Sequence, residues 1–164
     1  MSNTNKMKNL SIENANVQWR NFKGAEKKFN PAGQRNFVVF LDPGEADALR
    51  DLGWNVKETK PRDGYDTQNY LPVKVKFGYR PPNIWLITSK NKTKLDEDSV
   101  DILDYAELEK VDLVLTPYEY DVNGHAGVAA YLKAMYATIA EDEFADKYDV
   151  DNYGGNADDE DVPF

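Results

Sequence analysis

The dipeptide Asn123-Gly124 constrains this chain more than any other feature. Asn-Gly supplies the two positive-φ residues that a two-residue β-hairpin turn requires. It is flanked by two long, partly alternating segments, Val111 to Val122 and His125 to Ile139. A two-residue turn fixes the register, so Val122 faces His125 and every other pair follows by counting. Val111 then faces Tyr136, Leu113 faces Ala134 and Leu115 faces Leu132, which makes one apolar face for a core. On the opposite face Thr116 meets Tyr131, Tyr118 meets Ala129, Tyr120 meets Gly127 and Val114 meets Lys133. Tyr118, Tyr120, Tyr131 and Lys133 therefore line one surface. Pro117 has no N–H to give to the ladder. It implies an edge position or a bulge, and it allows the register below Thr116 to slip by one residue.

The rest of the chain supplies partners for that hairpin. Leu10 to Trp19 reads as a strand, with Leu10 and Ile12 on one parity and Ala15, Val17 and Trp19 on the other. Asn36 to Leu41 is short and nearly all apolar, as a central strand would be. Asp42-Pro43-Gly44-Glu45 opens a helix carrying Ala46, Ala48, Leu49 and Leu52, with Gly53 as its stop. Trp54 to Thr59 reads as another strand, and Lys60 to Asn69 as a polar loop holding Tyr65. Tyr70 to Gly78 alternates most cleanly: Leu71, Val73, Val75 and Phe77 share one face, and Tyr70, Lys74 and Lys76 the other. Asn83 to Thr88 is a further strand, Lys90 to Lys94 a basic loop, and Asp96 to Glu109 an acidic stretch with helical character around Tyr105 to Lys110. Five or more strands, one short helix and a long final hairpin give the fold class: mainly β, a five-stranded barrel like the oligonucleotide-binding (OB) fold.

Charge divides the chain in two. Of 29 acidic and 20 basic residues, ten acidic and one basic lie from Glu141 onward, leaving residues 1–140 with 19 of each. Residues 1–140 are expected to form the domain and 141–164 a solvated acidic tail. The absence of cysteine excludes disulfides, thiol nucleophiles and cysteine-ligated zinc, and the single His125 excludes a two-histidine metal site. No cofactor is expected. There is no apolar run near the length of a membrane span, and the polar start Met1-Ser2-Asn3-Thr4-Asn5-Lys6 lacks a signal-peptide core.

The tail closes with Asp158-Asp159-Glu160-Asp161-Val162-Pro163-Phe164. Acids followed by an apolar residue, Pro and Phe resemble the C-terminal tip of bacterial single-stranded-DNA-binding proteins, which recruits replication and repair enzymes. The resemblance implies that Asp158, Asp159, Glu160, Asp161, Val162, Pro163 and Phe164 dock partners, the ring filling a pocket and the acids steering. Asn9 to Phe40, and Val100 through Pro117 to Tyr136, resemble bacteriophage single-stranded-DNA-binding proteins of the OB fold. That implies a binding protein acting in phage DNA replication, recombination and repair in the host bacterial cytoplasm, not an enzyme.

Sequence-nonspecific binding of single-stranded DNA needs a cationic groove and rings on which bases stack. Residues 6–40 hold seven basic and two acidic residues, and residues 54–94 nine and three. Rings and cations interleave there. The candidate DNA-binding residues are Trp19, Arg20, Phe22, Lys23, Tyr70, Lys74, Lys76, Arg80 and Trp85, joined by Tyr118, Tyr120, Tyr131 and Lys133 of the hairpin. Trp19, Phe37, Phe40, Phe77 and Tyr136 also read as core rings rather than platforms, while Trp54 and Trp85 fit either role. Two other functions compete. Asp96, Glu97, Asp98, Asp101 and Asp104 could be drawn as a two-metal nuclease site, but one contiguous acidic run lacks the convergence such a site requires. A DNA mimic that inhibits a host enzyme would spread carboxylates over a folded surface, whereas residues 1–140 are neutral.

Overall fold

A computed structural model describes residues 7–64 and 66–140. Residues 1–6, Tyr65 and the whole acidic tail, with the docking segment Asp158 to Phe164, lie outside the described residues. The strands are β1 (Leu10–Ile12), β2 (Asn16–Asn21), β3 (Arg35–Leu41), β4 (Lys57–Glu58), β5 (Asn69–Val75), β6 (Asn83–Ile87), β7 (Lys92–Leu95), β8 (Leu108–Val122) and β9 (His125–Ile139). One helix, α1 (Pro43–Asp51), follows β3, and a 3-10 turn spans Val100–Asp104. The fold is mainly β and OB-like, with nine strands among the described residues.

All nine strands belong to one sheet, with the order β1-β8-β9-β5-β3-β2. Hydrogen bonding does not close this order into a ring. The two end strands are instead successive pieces of one bent segment, which turns the corner at Glu13–Ala15 with Asn14 at φ 52°. The single strand expected over Leu10 to Trp19 is thus split, its first half on β8 and its second on β3. Ala15 N–H donates to the Val111 carbonyl at 2.7 Å and ties the corner down.

The hairpin forms as its turn dictates. Asn123 and Gly124 take φ 53° and 81°, and the register runs as counted from Val122–His125 to Leu115–Leu132. There it shifts by one: Val114 faces Ala134, Leu113 faces Met135 and Val111 faces Ala137. Lys133 is the extra residue of a β-bulge, which changes the side-chain parity of β9 beyond it. Met135 and Ala137 therefore enter the core in place of Ala134 and Tyr136. Pro117 stands just past the end of β1, where β8 has lost its second partner.

One edge of β9 carries β8 throughout. Its other edge takes β5 at Ala130–Tyr131 and then β6 at Ala134–Thr138, both parallel to it. β5 and β6 are thus laid end to end, and residues 76–82 leave the sheet between them, beside the bulge. Pro72 falls where β5 passes from β4, paired at Asn69–Tyr70, to β9, paired at Val73–Lys74. The core cluster joins Phe22, Phe37, Val39, Leu71, Val73, Val75, Ile84, Leu113, Leu115 and Met135 with Leu49 and Ala46 of α1. Asp42 caps α1 with a capping box: its side chain accepts from Glu45 N–H, and Glu45 answers to Asp42 N–H.

Three further expectations are corrected. Lys92 to Leu95 is not loop but strand β7, paired with β6 across the Thr88–Asn91 turn. Only Lys57–Glu58 of Trp54 to Thr59 is strand, and Trp54 is buried beside Val128. The turn in the acidic stretch lies at Val100–Asp104, ahead of Tyr105 to Lys110, because Leu108 already begins β8.

Candidate nucleic-acid interface

Each central strand has a core parity and an outward parity, and the outward residues form one continuous face. On β5 these are Tyr70, Pro72 and Lys74, paired with Phe40, Val38 and Asn36 of β3. Lys74 also neighbours Tyr131 of β9, which faces Thr116 of β8. Further along β9, Tyr136 lies beside Trp85 of β6, which faces Lys94 of β7.

Rings gather on this face in three clusters. In the first, Trp19 meets Phe40 edge-on at 5.4 Å and Tyr70 at 5.1 Å between ring centroids. In the second, Tyr118 and Tyr131 meet edge-on at 5.8 Å, with Lys74 Nζ 5.9 Å from the Tyr131 ring. In the third, Lys92 Nζ lies 4.6 Å from the Trp85 ring and 5.7 Å from that of Tyr136. Rings with ammonium groups over them offer stacking surfaces and phosphate partners together.

A bulge in β2 creates the first cluster. The β2–β3 register shifts between Gln18 and Asn21, and Trp19 takes φ 50°, the left-handed region that a bulky residue avoids. The extra residue turns Trp19 out of the core parity it shares with Val17, leaving it 57% exposed. Phe22, two positions past the bulge, goes inward. It is fully buried and stacked on Phe37 at 5.2 Å, so it offers no platform.

Two more of the candidates are engaged within the fold. Arg20 donates from Nη1 to the carbonyls of Leu103 and Ala106, both at 2.8 Å, and so fastens the 3-10 turn to β2. Tyr120 receives a hydrogen bond from Asn55 at 2.8 Å, over Gly127. A Cβ at Gly127 would stand 2.5 Å from Asn55 Oδ1 and 2.7 Å from the Tyr120 hydroxyl, so any larger residue there would push that pair aside. Lys23, Lys76 and Arg80 are exposed on loops beside the face, and Lys133 is exposed at the bulge.

The acidic stretch is used for turns. The Asp96 carboxylate accepts from the Ser99 hydroxyl and from the N–H groups of Asp98 and Ser99, and the Ser99 hydroxyl above all holds its pKa below the usual value. Asp104 accepts from Phe22 and Lys23 N–H at 2.6 and 3.0 Å, and Glu97 pairs with Arg35 at 3.6 Å. Among the described residues, no three His, Cys, Asp or Glu side chains gather as they would around a metal ion. Nor is any described helix long and apolar enough to cross a membrane.

Residues 1–161 match the model of the family described as "Putative phage ssDNA-binding domain". The chain belongs to that family. Family membership supports a binding protein and lends nothing to an enzyme. No curated protein sequence matches the chain. Among solved structures, the fold is similar to the single-stranded DNA-binding protein from bacteriophage Enc34 in complex with ssDNA. The TM-score is 0.52 at 8% identity, over 82% of this chain and 88% of that one. A C-terminal truncation of the Enc34 protein gives a TM-score of 0.51 at 8% identity, covering 82% and 87%. At such identity the likeness is one of fold alone.

Phe40, Tyr136 and Lys92 are members of the face that sequence reasoning placed elsewhere. Lys92-Thr93-Lys94-Leu95 carried the missing signal, since its alternation puts both lysines opposite Leu95.

Proposed function

We propose that the chain binds single-stranded DNA, without sequence preference, along the outward face of the sheet. One observation carries this reading. Trp19, Phe40, Tyr70, Tyr118, Tyr131, Trp85 and Tyr136 share a face with Lys74, Lys92 and Lys94, although they come from seven different strands. Stacking on aromatic rings contributes about 1–3 kcal/mol per base and tolerates any base, because every base has a π-face. Lysines beside the rings neutralise phosphates and make binding salt-dependent. Duplex DNA hides its base faces and would gain only the second term. Titration with single-stranded and duplex oligonucleotides over a salt series tests this. Single strands are expected to bind more tightly at every salt concentration; equal affinity for both would leave only nonspecific charge attraction.

Two finer roles rest on sequence. Held on such a face, strands exposed in phage DNA replication, recombination or repair would be kept unpaired and protected. The acids of Asp158 to Asp161, followed by Val162, Pro163 and Phe164, are suited to recruiting enzymes to those strands. Phe164→Ala keeps every charge, so it should abolish capture of partners from a bacterial extract while leaving DNA affinity unchanged. An identical set of captured proteins from both baits would remove the recruitment role.

A further inference from the structure

Phe29 is 89% exposed and Tyr79 92% exposed, so neither ring contributes to the core. Both stand on firmly built loops. Residues 22–34 fold around two asparagines: buried Asn21 accepts from Gly24 and Ala25 N–H, and Asn30 donates to the carbonyls of Ala25 and Gln34. Lys27 and Asn30 exchange backbone hydrogen bonds at 2.8 and 3.0 Å, with Lys28 and Phe29 at the tip between them. Residues 76–82 are pinned by Pro82, which is buried, and by Phe77, which lies under Arg35 at 5.2 Å. Arg35 joins the two loops, since its Nη1 also donates to the Phe22 carbonyl at 2.6 Å. Its backbone partner is Val75, so both loops spring from one place on the sheet.

A cation accompanies each ring. Lys28 Nζ lies 5.4 Å from the Phe29 ring, and the Arg80 guanidinium 5.4 Å from that of Tyr79. Residues 22–34 carry Lys23, Lys27 and Lys28 against Glu26, and residues 76–82 carry Lys76 and Arg80 with no acid. Tyr105, also widely exposed, sits instead in the acidic stretch. The position is informative too, because residues 76–82 leave the sheet at the break between β5 and β6. That break separates the first two ring clusters from the third.

From these observations we infer that Phe29 and Tyr79 are a second tier of base-stacking residues. They grip nucleotides that leave the sheet face, with Lys28 and Arg80 against the adjoining phosphates. The inference rests on the proposed binding face and extends it to longer strands. Loops already built before binding lose little backbone freedom when a base stacks on the rings they carry. The alternation of ring and cation matches the alternation of base and phosphate.

The test compares oligothymidines of about 4 and about 16 nucleotides, the range that one OB fold holds. The proteins are wild type, Phe29→Ala/Tyr79→Ala and, as a control on the sheet, Tyr70→Ala. The double variant should keep the wild-type melting temperature and its affinity for the short strand. It should bind the long strand at least about tenfold more weakly. Unchanged affinity for both lengths, with Tyr70→Ala weakened, would overturn the second tier and leave the sheet face standing; the exposed rings would then serve a protein partner. Equal losses at both lengths would also overturn it, by placing the rings on the primary path. Wild-type protein that binds neither length would overturn the binding face itself.

Discussion

Trp19 and Phe22 exchange the places that their spacing assigns them, and a single extra residue in β2 does it. Trp19 shares the parity of buried Val17, and Phe22 sits among cations, so alternation puts the first inside and composition puts the second outside. Bulges leave no mark in a hydrophobic pattern, because one inserted residue inverts everything beyond it. The left-handed backbone at Trp19 costs about 1–2 kcal/mol, and its two edge-on ring contacts return about 0.5–1.5 kcal/mol each. Trp19→Gly removes both terms, so stability should fall by no more than about 2 kcal/mol in urea melts, while single-strand affinity falls. Phe22→Ala should cost about 3–5 kcal/mol as a core truncation. Should Trp19→Gly prove the more destabilising, its ring belongs to the core after all.

At the scale of elements, strong periodicity and turn chemistry were legible. The Asn123-Gly124 hairpin, the alternation of Leu71, Val73 and Val75, and the Asp42 capping box each form as their residues dictate. The one-residue slip that Pro117 allowed below Thr116 does occur, but the pattern did not locate its extra residue at Lys133, which redirects Met135 and Tyr136, nor disclose the strand character of Lys92 to Leu95. Its two lysines look like loop until a partner strand fixes their face. The candidate site was legible in part for the same reason. Tyr70, Lys74, Trp85, Tyr118 and Tyr131 lie on regular strands and reach the face, whereas Phe22 and Tyr136 lie past bulges. The hairpin gives a sharp comparison. Met135→Ala should destabilise by about 2–5 kcal/mol, and Tyr136→Ala, at the next position, should cost far less. The reverse ranking would restore the unbroken register and move Lys92 and Trp85 away from any binding face.

For the whole molecule, the balance of 19 acidic and 19 basic residues over 1–140 conceals a segregation. Carboxylates at Asp96 and Asp104 serve turns, whereas Lys74, Lys92 and Lys94 stand among rings. If Lys74 and Lys92 each neutralise one phosphate, Lys74→Ala and Lys92→Ala should each lower the slope of log K against log salt by about 0.7. Unchanged slopes in both would put the phosphates elsewhere. On the proposed reading, the three ring clusters on one sheet face form a single path for unpaired bases. Its most direct test is the affinity for a long oligothymidine, at fixed salt, of a variant that removes one ring from each cluster: Tyr70→Ala, Tyr131→Ala and Tyr136→Ala combined. Every charge is retained, and a urea melt confirms the fold. Three lost stacks of about 1–3 kcal/mol each predict a loss of about a hundredfold or more. A folded triple variant that binds as tightly as wild type would contradict the account.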